Sequence, residues 1–184
     1  TDFLSLNPAG EVPVLIDTDG AILSGAYAIS EYLEETYPHP DFLGEDVFQR
    51  AETRRLVTWF DMKFSHEVSD NLVGEKMVKR LQRSGEPSGP AIRAGLINIH
   101  YHLDYIEFLL ETRNWLAGEE FSQADMTAAA QLSAVDYIGD VPWDKHPGAK
   151  AWYARIKSRR SFKSLLDERM PGQYPAKHYA NVDF

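Results

Sequence analysis

The chain has no cysteine. A disulfide framework and a thiol nucleophile carried by these residues are therefore both excluded. Cationic side chains are also scarce: 19 Lys and Arg stand against 28 Asp and Glu, a net charge of −9. Nucleic-acid binding rests on clustered Lys and Arg at phosphates, so that balance argues against it. No apolar run approaches the roughly 18–20 residues that a membrane span needs. There is no Gly-rich phosphate loop, no Ser/His/Asp set in a recognisable order and no framed pair of carboxylates. Helical metal pairs need a spacing of three or four. His100 and His102 are two apart and point to nearly opposite sides of a helix. His66 and Asp70 have the right spacing but no evident third ligand, so no metal set is assigned.

What remains is ordinary globular composition, 43% hydrophobic and 26% charged. The organising stretch is Phe121-Ser122-Gln123-Ala124-Asp125 followed by Met126-Thr127-Ala128-Ala129-Ala130-Gln131-Leu132. Ser122 and Asp125 form a short-armed capping box. The helix it opens is apolar or small on nearly every face, which predicts a helix at the centre of a helical domain. Leu56, Trp59, Phe60, Phe64 and Val68 mark one face of a long helix that begins near Val47. Ile92, Leu96, Ile99, Leu103, Ile106 and Leu110 read as the seam of another. Near the start, Asn7-Pro8-Ala9-Gly10 is a turn and Val12–Ile16 a short strand. Asp17-Thr18-Asp19-Gly20 is a hairpin turn and Ala21–Leu23 the returning strand. Pro38-His39-Pro40 ends the helix that follows.

Three segments carry a family resemblance. Asn7-Pro8-Ala9-Gly10-Glu11-Val12-Pro13-Val14-Leu15, Trp115–Asp125 and Ala151–Phe162 resemble conserved segments of glutathione transferases. The resemblance implies an α+β fold of the glutathione-transferase type. Residues 1–37 would be the C-terminal part of a thioredoxin-like domain and 38–46 a linker. Residues 47–166 would be an all-helical bundle and 167–184 an extended tail. It implies that roughly forty to fifty residues of strand, helix and strand precede Thr1, including the residue that activates the glutathione thiol. It also implies a cis bond before Pro13, with the Val12 backbone presented to the cysteinyl part of glutathione. The family's Glu-Ser pair, which grips the γ-glutamyl carboxylate at a helix N-terminus, aligns with Gly25 and Ala26. Both gripping side chains are absent, and Ser24 replaces them only if the register slips by two.

The tail has no helical period. Tyr174, Tyr179 and Phe184 recur every five residues, and Asp183-Phe184 ends the chain. Spaced aromatics of this kind either anchor in a partner groove or fold back over their own domain. Together with Gly25-Ala26 and Gly139-Asp140-Val141-Pro142-Trp143, the tail resembles one branch of the family, bacterial division proteins that bind FtsZ. That resemblance implies a cytoplasmic, homodimeric, non-enzymatic regulator without a cofactor. It would bind and curve FtsZ filaments and signal to septal wall synthesis through Tyr174, Tyr179, Asp183 and Phe184. The helices Ala28–Tyr37 and Val47–Val68 would form most of the two-fold interface. The other class is a glutathione-dependent enzyme that conjugates electrophiles, with a replacement for the lost Ser.

Overall fold

Leu56, Phe60, Phe64, Val68 and Leu72 are all fully buried, and each lies four residues after the last. On an α-helix a step of four advances about 400°, so such a stripe drifts about 40° per step. The computed structural model of the chain describes residues 2–182. Helix α3 (Val47–Thr58) runs into a π-helical stretch, Trp59–Val78, and ends as α4 (Lys79–Gln82). The N–H of Lys79 bonds the carbonyl of Gly74, five residues back. A coil closed by such bonds turns less per residue than an α-helix, so the sense of the drift changes where the stretch begins. Asp46 caps the start by accepting from the N–H groups of Phe48 and Gln49, at 2.7 and 2.9 Å.

The chain divides into two compact units, Thr1–Leu43 and Gly44–Phe184. In the first, a short helix α1 (Asp2–Leu6) precedes the antiparallel strands β1 (Val14–Ile16) and β2 (Ile22–Ser24) and helix α2 (Ala26–Thr36). The register pairs Val14 with Ser24, Leu15 with Leu23 and Ile16 with Ile22. Strand β1 starts two residues later than the pattern predicts, because Pro13 has no N–H for the ladder. Buried Asn7 organises the preceding turn by donating to the Glu11 carbonyl (2.8 Å) and accepting from the Ala9 N–H (3.1 Å). A hydrogen bond from Tyr32 to Asp17 ties α2 to the hairpin. Residues 42 and 43 donate their N–H groups to Glu34 on α2, so the chain stays tied to this unit up to buried Leu43.

The second unit is helical. It continues with α5 (Gly89–Leu110), α6 (Gln123–Tyr137), a 3₁₀ turn (Trp143–Lys145), α7 (Pro147–Lys157) and α8 (Arg160–Asp167). The seam of α5 differs from the predicted one at its start. Gly95 is buried and Leu96 is exposed. A Cβ on Gly95 would sit 2.8 Å from the Leu72 side chain, so only glycine permits this close approach to the π-helical stretch. Helix α6 lies in the core, with Ala124, Ala128, Ala129, Leu132 and Val135 buried, while small Ala130 faces out. No helix among the described residues is long and apolar enough to cross a membrane.

The capping box of α6 is formed, and its acidic member does more than cap. Asp125 is fully buried. Its carboxylate accepts from the N–H and hydroxyl of Ser122, the N–H of Leu116 and the indole of Trp152, at 2.8–3.0 Å. Burial pushes its pKa up, and these four donors oppose the shift. Nearby, Arg113 joins the Leu116 carbonyl (2.7 Å) to Glu52 on α3 (2.8 Å). Arg55 reaches the same carboxyl at 2.7 Å.

Two outcomes follow for stability. Asp125→Ala strands several buried donors, each costing about 1–3 kcal/mol. The urea midpoint should fall by the equivalent of about 3 kcal/mol at constant slope, and an unchanged midpoint would refute the role given to Asp125. Arg55, then Arg113, hold Glu52 down at about 2, from 4.5. A depressed carboxyl stabilises the fold above its unfolded pKa and loses that effect as pH falls through the folded one. Glu52→Gln should therefore cost about 1–3 kcal/mol at neutral pH. The gap from the wild type should close between pH 4.5 and about 2; a gap independent of pH would count against the ion pair.

Candidate functional site

Two places hold the residues singled out from the sequence. The first lies in the N-terminal unit. The Val12–Pro13 peptide is cis, as the resemblance implied. The carbonyl of Pro13 accepts the N–H of Gly25 at 3.1 Å, which brings the proline loop against the start of α2. Val12 is exposed. Gly25 precedes the helix with φ 90° and ψ 131°, and Ala26 is its first residue. That positive φ strains any residue with a Cβ, although nothing lies within 4 Å of where the Cβ would be. The fold thus brings Val12, Pro13, Gly25 and Ala26 together but supplies no side-chain donor from the last two. Ser24 ends β2 opposite Val14 and is not the first residue of the helix. Free N–H groups at a helix start still favour an anion. The residues present do not fit the side-chain grip on glutathione that the family resemblance implies.

The second place is the tail. Of its four predicted contact residues, Asp183 and Phe184 lie outside the described residues. Tyr174 is 90% exposed and Tyr179 only 2%. Tyr179 is therefore not presented to a partner; it anchors the tail on its own unit. Its hydroxyl meets that of Ser133 on α6 at 2.8 Å, and its ring packs edge-on against Tyr137 at 5.1 Å. Tyr179, Tyr137 and Leu166 form a small apolar cluster joined by Ile138, Phe162, Ala176 and Val182. Backbone bonds hold the rest. The N–H of Ala176 donates to the carbonyl of Tyr137 (2.8 Å), and the Tyr137 hydroxyl donates to that of Gln173 (2.8 Å). Arg80, in α4, donates to the carbonyl of Gly172 at 2.8 Å.

Beneath the tail lies a buried charge pair. Asp136 on α6 and Lys157 at the end of α7 are both fully buried, with Nζ 3.9 Å from Oδ2. The other carboxylate oxygen accepts from the Trp143 indole and contacts His178 Nε2, each at 2.7 Å. Lys157 also donates to the His178 carbonyl (3.4 Å) and lies 5.5 and 5.9 Å from the ring centres of Tyr153 and Tyr179. Burial lowers the Lys157 pKa, and Asp136 works in the opposite direction. Burial raises the hydroxyls of Tyr153 and Tyr179. Sequence reasoning missed Asp136, Lys157 and His178. Asp136 could have been found: an Asp within an otherwise small and apolar helix must have a partner.

Residues 89–155 match the pattern of the glutathione S-transferase C-terminal domain, and residues 1–41 that of the N-terminal domain. FtsZ-localized protein A of Caulobacter vibrioides is 50% identical across all of this chain and 82% of its own length. Solved structures agree. That of FzlA from C. crescentus superposes with a TM-score of 0.96 at 49% identity, over all of this chain and 82% of that one. A glutathione S-transferase from Rhodospirillum rubrum matches with the same score and coverage at 52% identity.

The anchoring of the tail separates its two tyrosines. Tyr179→Ala should cost about 3–5 kcal/mol, as for other large buried aromatics. Tyr174→Ala should stay within about 0.5 kcal/mol of the wild type. Thermal melts of the two variants check this, and equal melting temperatures would contradict the docked tail.

Proposed function

The chain belongs to the glutathione S-transferase family, and from that premise we propose that it is a non-enzymatic, transferase-like regulator of bacterial cell division that binds FtsZ filaments. The observation that carries this reading is the 50% identity to FtsZ-localized protein A across the whole chain. Supporting it, Gly25 and Ala26 provide no side chain to hold a glutathione carboxylate. In this reading the scaffold acts by presenting surfaces, not by chemistry. It works at the cytoplasmic division site, favours filament curvature and needs no cofactor.

The tail fits a signalling role towards septal wall synthesis. Its inner residues, His178 and Tyr179, hold it on the helical unit, while Tyr174 is displayed to solvent. An exposed aromatic on a rigid support is the kind of group that anchors an interface. The protein acts as a homodimer. Val47, Phe48 and Met62 are exposed along α3 and the π-helical stretch, which favours a partner on that side.

The test is co-sedimentation of the full-length protein with FtsZ polymerised by GTP, with GDP as the control. Pelleting that depends on GTP is expected, as is no retention on immobilised glutathione. Failure to pellet, joined to retention that free glutathione reverses, would overturn the reading in favour of a glutathione-conjugating enzyme.

A further inference from the structure

His146 caps the start of α7, and its side chain is 5% exposed. Its Nε2 lies 2.8 Å from Nδ1 of His100 on α5. Its Nδ1 is buried and makes no hydrogen bond among the described residues. That nitrogen faces two carboxylates of α5, 3.3 Å from Asp104 Oδ1 and 3.8 Å from Glu107 Oε2. One ligand atom from each of Asp104, Glu107 and His146 lies within 4.8 Å of the others. His100, Asp104 and Glu107 are spaced four and three apart, so they share one face of α5.

The positions are held from outside the cluster. Glu107 Oε1 accepts the N–H groups of Gly148 and Ala149 at 2.7 and 3.2 Å, leaving Oε2 to face His146. A Cβ on Gly148 would sit 3.0 Å from Glu107 Oε1, so the glycine makes room for the carboxylate. When His146 Nε2–H donates to His100, Nδ1 is a lone pair facing acidic oxygens with no proton between them. A cation satisfies all three. The 3.3 Å between Nδ1 and Asp104 Oδ1 is roughly the edge of a tetrahedron with metal–ligand bonds of about 2.0–2.1 Å.

We propose that Asp104, Glu107 and His146 form a divalent-cation site of the zinc class that clamps α5 to the start of α7. One imidazole and two carboxylates suit Zn²⁺, with a fourth position left for water beside the exposed Asp104. His100 is the outer partner that orients the ligating imidazole. This site is independent of FtsZ binding.

The experiment is calorimetric titration of ZnCl₂ into the full chain, stripped with chelator and free of any polyhistidine tag, paired with thermal melts. One saturable ion per chain is expected, with a melting temperature that climbs as Zn²⁺ is added. Because His146 is buried, Asp104→Ala carries the test; Asp104 is largely exposed, and its loss leaves the fold intact. That variant should bind at least tenfold more weakly, and His100→Ala about 10–100-fold more weakly. No saturable binding by the wild-type chain, or wild-type affinity in Asp104→Ala, would overturn the site.

Discussion

Asp136 and Lys157 are ion-pair partners with fully buried side chains, and much of the helical unit is arranged around them. Taking two ions out of water costs several kcal/mol each, recovered only when their remaining polar atoms are satisfied. Asp136 Oδ1 meets the Trp143 indole and the His178 ring, and Lys157 donates to the His178 carbonyl, while Asp136 Oδ2 has no hydrogen bond among the described residues and faces only the Lys157 charge at 3.9 Å. His178 belongs to the tail. Lifting the tail would strip Asp136 of one partner and Lys157 of another, so a segment without regular secondary structure becomes part of the core's electrostatics. The lowered pKa of Lys157 reflects that enclosure.

Helix α6 uses the same device at each end. Asp125 in its first turn accepts an indole N–H from Trp152, and Asp136 in its last turn accepts one from Trp143. Two buried carboxylates thus hold α7 and the turn before it against the central helix. Between them the small side chains of Ala128 and Ala129 allow close packing. A frame pinned in this way holds Tyr174 outward on a short, anchored arm. In the N-terminal unit the family's ligand loop keeps its backbone form, with a cis Val12–Pro13 bond joined to Gly25, but without the polar side chains of a binding site. A kept loop backbone with Gly25 and Ala26 at the gripping positions accords with the recognition role proposed above.

Much of this was legible in the residues. Capping chemistry is local, so Ser122 and Asp125 announced α6, and the Asp17–Gly20 turn announced the hairpin. The seam of α5 was misread by one residue because hydrophobicity favoured Leu96, whereas helix proximity selected Gly95. The π-helical stretch escaped notice because an every-fourth stripe is also compatible with an α-helix over a few turns. Folding back was one of the two readings of the tail, but the place where it docks was illegible for a different reason. Tyr179 meets Ser133 across 46 residues of chain, and nothing in a five-residue recurrence of aromatics identifies that partner. His100 was rightly separated from His102 by spacing alone. Its true neighbour, His146, lies on another helix.

The central claim is that the tail is a folded part of the helical unit, and amide hydrogen exchange tests it most directly. The N–H groups of Ala176 and Tyr179 bond the carbonyls of Tyr137 and Ala176. If the tail completes the buried pair, these two amides will be protected to a degree approaching that of α6. Exchange at the rate of an unstructured peptide would contradict it, and would return the tail to a free arm.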